Sequence, residues 1–118
     1  MAKNERLNYD LEIDEGSTPT LAVLGADSAG AAILPSAIDN IYIKIDDYFS
    51  DTVIKASTDL GKTANPVSYA LTETETRIIN IERAFEYRFV TIDFVYNTTG
   101  HITKEYILKI NNLKYHTV

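Results

Sequence analysis

The chain of 118 residues contains no cysteine and no tryptophan, and only two histidines. Without cysteine there is no disulfide framework, no zinc-finger spacing and no thiolate nucleophile. His101 and His116 stand apart, one at the end of a presumptive hairpin and one in the tail, and neither belongs to a catalytic or metal-ligating pattern. The opening Met-Ala-Lys-Asn-Glu-Arg-Leu has no apolar core, so no secretory signal peptide is expected. No apolar run approaches the roughly 20 residues that a membrane-spanning helix needs. Lys and Arg total 11 against 17 Asp and Glu, giving a net charge of −6. The basic residues are scattered, which argues against phosphate-backbone binding and therefore against a nucleic-acid partner.

What is present is strand-forming sequence. Both arms of the stretch from Tyr87 to Ile110 are rich in β-branched and aromatic residues. Val90, Ile92, Phe94 and Tyr96 alternate on one face of the first arm. Ile102, Tyr106, Leu108 and Ile110 do so on the second, with Lys104 the exception. Pairing Asn97 with His101 sets Tyr96 opposite Ile102, Ile92 opposite Tyr106 and Val90 opposite Leu108. It leaves Thr98-Thr99-Gly100 as a three-residue loop whose glycine takes the left-handed position. This register also sets Asp93 opposite Glu105, a repulsive arrangement unless a cation or a neighbouring base intervenes. Phe89 and Ile107 fall on that second face, which points to cover by a further segment or by a partner.

The rest of the chain supplies shorter strands. Leu7 to Ile13 alternates cleanly; Thr18 to Leu24, Ile38 to Ile45, Thr52 to Ala56 and Val67 to Leu71 follow, separated by turn-forming residues. Thr72 with Glu75 fits a capping box, so one helical turn competes with strand there; Arg77 to Ile81 reads as strand. Seven or eight short strands without a long amphipathic helix predict an all-β fold, an antiparallel β-sandwich of immunoglobulin-like type, with a small β-barrel as the alternative. One domain spans 1–118, with 1–6 as an N-terminal arm and 111–118 as a short tail.

Chemical motifs are few. Ala56-Ser57-Thr58-Asp59-Leu60-Gly61-Lys62-Thr63 satisfies a loose phosphate-loop pattern. Such a loop works by opening a helix whose N–H groups face phosphate, and here Asn65-Pro66 and a strand follow instead. Acidic residues Asp10, Glu12, Asp14 and Glu15 lack calcium-loop spacing. Asn97-Thr98-Thr99 is a glycosylation sequon that reads as a turn. No cofactor, metal or small-molecule substrate is expected, and no catalytic residue is assigned.

The succession Leu11-Glu12-Ile13, Gly16, Thr18 to Val23, Ile41 to Ile45, Val67-Ser68-Tyr69-Ala70-Leu71-Thr72, Phe89 to Phe94, Gly100 and Thr103 to Ile110 resembles small immunoglobulin-like β-sandwich modules of tailed-bacteriophage virions. Such modules occur in baseplate, tail and capsid-decoration proteins. The resemblance implies a non-enzymatic structural component of a virion (capsid, neck, tail or baseplate), assembled in the host cytoplasm into an oligomeric particle through contacts with other virion proteins. Exposed aromatic and aliphatic anchors would make those contacts, with Phe89, Ile107, Tyr42 and Tyr48 as the candidates and strand addition at a sheet edge as a further mode. The alternatives are a carbohydrate- or ligand-binding adhesion module using loop tyrosines, and a small enzyme using Asp93 and Glu105.

Overall fold

The computed structural model describes residues 8–61 and 63–113. The Met1 to Arg6 arm, Leu7, Lys62, His116 and the rest of 114–118 lie outside the described residues. The strands are β1 (Leu11–Asp14), β2 (Thr20–Val23), β3 (Ile38–Asp47), β4 (Val53–Asp59), β5 (Val67–Ala70), β6 (Phe85–Tyr96) and β7 (Gly100–Asn111), with a 3-10 turn at Pro35–Ala37. They form a five-stranded sheet in the order β1-β7-β6-β3-β4 and a two-stranded sheet of β2 and β5. The sheets pack face to face as a β-sandwich. Among the described residues no strand ladder joins them, so the sheet does not close into the alternative barrel.

Period-two alternation explains the core. Ile41, Ile43 and Ile45 of β3, Val90, Ile92 and Phe94 of β6, and Leu108 and Ile110 of β7 line the inner face of the large sheet. Leu21 and Val23 of β2 and Val67 of β5 oppose them from the small sheet. The order β7-β6-β3-β4 over β2-β5 matches the G-F-C-C′ and B-E strands of the immunoglobulin plan. With no cysteine or tryptophan in the chain, this core is aliphatic except for Phe94. One strand departs from an all-antiparallel expectation: β1 runs parallel to β7, with Leu11 opposite Leu108 and Ile13 opposite Ile110.

The long hairpin forms, but in a different register. Tyr96 faces Gly100 rather than Ile102, a slip of two residues; Val90 faces Tyr106 and Ile92 faces Lys104. A slip of two preserves the faces, so Val90, Ile92, Phe94 and Leu108 still point inward. The reason lies in how the glycine is used. Left-handed backbone falls on Asn97 (φ 48°) and Thr98 (φ 70°), and Gly100 is not left-handed. Instead the Tyr96 ring lies over Gly100, where an added Cβ would come within 2.8 Å of the ring. Glycine here serves close approach, an aromatic ring covering a bare cross-strand position. Contacts from outside the hairpin hold the turn: Thr98 N–H donates to Asp39 Oδ2 at 2.7 Å and Asn97 N–H to the Ala37 carbonyl at 2.9 Å.

The strand expected at Arg77 to Ile81 is absent. Thr72 to Thr76 instead makes one capped turn, with Thr72 N–H donating to Glu75 Oε1 (2.8 Å) and Glu75 N–H to Thr72 Oγ1 (3.2 Å). Past it, backbone groups bond to buried side chains and not to a ladder. Glu86 accepts from Ile79 N–H and Asn80 N–H at 3.0 and 2.9 Å, and Arg88 Nη2 donates to the Arg77 carbonyl. Arg88 is fully buried at the inner end of β6, its Nη1 donating to both Asp47 Oδ1 and Glu86 Oε1. The segment is therefore strapped to the sheet by ions, an override that alternation cannot reveal.

Both edges of the large sheet are blunted. β1 has four residues, and β4 carries two register shifts against β3. Bulges twist an edge and discourage strand addition. Among the described residues no helix is long and apolar enough to cross a membrane.

Candidate interaction surface

The outer face of the large sheet carries an aromatic array. Odd-numbered residues of β6 point there, placing Phe85, Tyr87 and Phe89 in a row. The turn after β3 brings Tyr48 and Phe49 onto the same row. Tyr48 N–H donates to the Tyr87 carbonyl at 3.0 Å, and Asp47 Oδ2 accepts from Ser50 N–H and Oγ, fixing the turn. Ring centroids lie 5.2 Å apart for Tyr48 and Phe89, 5.8 Å for Phe49 and Tyr87, and 5.2 Å for Phe85 and Tyr87. Cations cap the array: Arg83 lies 4.4 Å from the Phe49 centroid and Lys109 Nζ 4.7 Å from that of Phe85. Tyr87 is 1% exposed at the centre, so this is a small second core.

Of the candidate contact residues, Phe89, Ile107 and Tyr48 come together. Phe89 sits directly opposite Ile107, both half-buried, and Tyr48 lies against Phe89. Much of the cover expected over Phe89 is thus supplied by the chain's own Tyr48 turn. Tyr42 is apart, between Asp59 of β4 and Asp93 of β6.

The slipped register separates Asp93 from Glu105. Asp93 faces Thr103 and Glu105 faces Thr91, so the expected carboxylate pair does not form. Asp93 instead lies 3.3 Å from His101 Nδ1 and 3.4 Å from Thr103 Oγ1, in the open on the outer face. Among the described residues no three His, Cys, Asp or Glu side chains converge as a metal site would require. Residues 56–59 of the loose phosphate-loop pattern belong to β4, and strand β5 follows Pro66.

A further surface lies between β2 and β3, in the small-residue stretch from Gly25 to Ala32. Ala26 and Ala32 make an isolated antiparallel bridge, and Ile33 N–H donates to the Gly25 carbonyl at 3.1 Å. The segment is therefore a miniature hairpin. Gly25 and Ile33 turn inward; Leu24 and Leu34 turn outward and are 50% and 68% exposed. Asn65 locks its base. It accepts from Gly25 N–H (2.9 Å) and donates to the Gly25 and Ile33 carbonyls, both at 2.8 Å. Gly25 packs flat on Phe94, where an added Cβ would lie 3.0 Å from the ring. Asp27 Oδ1 closes the tip by accepting from Ala29 N–H and Ala31 N–H. The signal for this loop was present as paired leucines at its two ends, but nothing in the sequence showed that Asn65, 40 residues on, clamps it.

No protein-family model, curated protein or solved structure matches this chain.

Proposed function

We propose that this protein is a non-enzymatic structural component of a tailed-bacteriophage virion, acting through protein–protein contacts. The observation that carries the reading is the Leu24–Leu34 pair, displayed outward on a loop fixed to the core by Asn65. Two large aliphatic side chains held out in water form an exposed apolar patch of the kind that marks a contact site, and the fixed loop lowers the ordering cost of docking. A sandwich in the immunoglobulin strand order supports the reading, since that architecture presents such loops at its ends. Blunted sheet edges make surface docking the preferred mode over strand addition.

The test uses gradient-purified particles of the phage carrying this sequence. The protein is expected in the particle at a fixed copy number, and Leu24→Asp/Leu34→Asp is expected to fold normally and fail to incorporate. A monodisperse monomer that is absent from particles and binds no virion protein at high concentration overturns the proposal.

A further inference from the structure

At the end of the large sheet opposite the 24–34 loop, a cleft of about 540 Å³ is lined by Glu12, Asp14, Phe85, Lys109, Asn111 and Leu113, with Ala84. Its polar side chains stand on β1 and β7, which fix their spacing. Glu12 pairs with Lys109 and Asp14 with Asn111 in the parallel register. Asn111 Nδ2 donates to Glu12 Oε2 at 2.8 Å, Tyr9 Oη donates to Glu12 Oε1 at 2.8 Å, and Lys109 Nζ is 4.0 Å from Glu12. The Asn111 amide, and after it the Tyr9 hydroxyl, hold the Glu12 carboxyl below the usual carboxylate range. Asp14 has no side-chain partner among the described residues.

From this geometry we infer that the cleft binds one neutral sugar residue of a glycan. A pyranose offers hydroxyls that each donate and accept, together with a C–H face. The cleft offers carboxylate acceptors in Glu12 and Asp14, donors in Lys109 and Asn111, and an apolar wall in Phe85 and Leu113. This is the mixture of a few placed polar groups and apolar lining that small-ligand sites show, within their usual span of about 300–1,000 Å³. Charge selects among ligands. A cation meets Lys109, which already lies over the Phe85 and Tyr9 rings at 4.7 and 5.4 Å. An anion meets Glu12 and Asp14. A neutral polyol suffers neither repulsion. The site is independent of the virion reading and lies about 30 Å along β6 from the docking loop, nine residues of about 3.3 Å from Phe85 in the cleft to Phe94 beneath Gly25.

The test is a titration of the full chain, followed by ¹⁵N–¹H spectra, with D-glucose, D-galactose, N-acetyl-D-glucosamine and L-rhamnose. At least one sugar is expected to give saturable shifts at Glu12, Asp14, Phe85, Lys109 and Asn111, with a Kd on the order of 1 mM. Asp14→Asn, at an exposed position without a side-chain partner among the described residues, is expected to fold normally and bind about tenfold more weakly, the loss of one charge-assisted hydrogen bond. Phe85→Leu tests the ring; should it unfold, Asp14→Asn decides alone. The inference is overturned if no sugar saturates, if the shifts fall elsewhere, if Asp14→Asn binds as tightly as the parent, or if tetramethylammonium or phosphate saturates the same residues in preference.

Discussion

Arg88 and Asp47 face each other across the β6–β3 pair, and the 2.7 Å bond between them is made with side chains 0% and 1% exposed. Arg88 reaches Glu86 as well, on its own strand, at 2.8 Å. One guanidinium thus holds two buried carboxylates, the turn after β3 and the 77–80 segment. Its Nε has no hydrogen-bond partner among the described residues. The arrangement specifies geometry more than it stabilises, because burying these ions carries a desolvation cost that the attraction only offsets.

Removing the cation should therefore be severe. Arg88→Leu leaves Asp47 and Glu86 buried without a counter-ion and the Arg77 carbonyl without a donor. A loss of about 3–5 kcal/mol is expected. Urea unfolding followed by far-ultraviolet circular dichroism measures it, since the chain has no tryptophan. Glu73→Ala, which breaks the exposed pair with Arg77, should change stability by less than about 1 kcal/mol.

The clamp at Asn65 makes a second prediction. Asn65→Ala removes three hydrogen bonds in one step, leaving Gly25 N–H and the Ile33 carbonyl without Asn65 while the Gly25 carbonyl keeps its bond from Ile33 N–H. At about 1 kcal/mol for each, roughly 3 kcal/mol is expected. Gly25→Ala should cost about 1–3 kcal/mol by a different route, pressing a methyl into the buried Phe94 ring. Amide hydrogen exchange separates them: Asn65→Ala should release Ile33 and Ala31 N–H, whereas Gly25→Ala should disturb the Phe94 surroundings.

Much of the fold was legible because alternation is a local signal. The inward residues of β3, β6 and β7 follow from period two alone, and so does the outward placement of Phe89 and Ile107. Three features were not legible, each for a non-local reason. Gly100 suited a left-handed turn residue equally well, and the ring of Tyr96 decided otherwise. Arg77 to Ile81 reads as strand from its isoleucines, yet Glu86 and Arg88 take its backbone groups. The aromatic array needed the turn at Tyr48 and Phe49 to fold back over β6, which the spacing of 36 residues from Phe49 to Phe85 does not disclose.

The register itself can be trapped chemically, against a background free of native thiols. Directly opposed outward residues have Cβ atoms about 4.5–5.5 Å apart, and diagonal ones about 7–8 Å. Thr91→Cys/Glu105→Cys should therefore oxidise readily to a disulfide, and Asp93→Cys/Glu105→Cys should not. Fast closure of the second pair in preference to the first, read by mass spectrometry, would restore the register in which those two carboxylates oppose each other.

Tyr69 gives a prediction at alkaline pH. Burial, and then its 2.6 Å hydrogen bond to Glu75, raises its pKa well above the ordinary value near 10. Lys55 lies 5.8 Å from the Tyr69 ring centroid and 3.7 Å from Glu75 without reversing that shift. The folded protein thus keeps a proton that the unfolded chain releases. This contribution to stability is complete below the unfolded pKa near 10 and is lost as pH climbs from there through the folded value. Phenolate absorbance of the folded protein should show Tyr69 titrating late, along with Tyr106, which burial and then Asp10 also push up. Urea-unfolded chain should titrate uniformly. Tyr69→Phe should fall less steeply in stability above pH 10 than the parent; an identical slope would mean that the Tyr69 hydroxyl is not protected by Glu75 in solution.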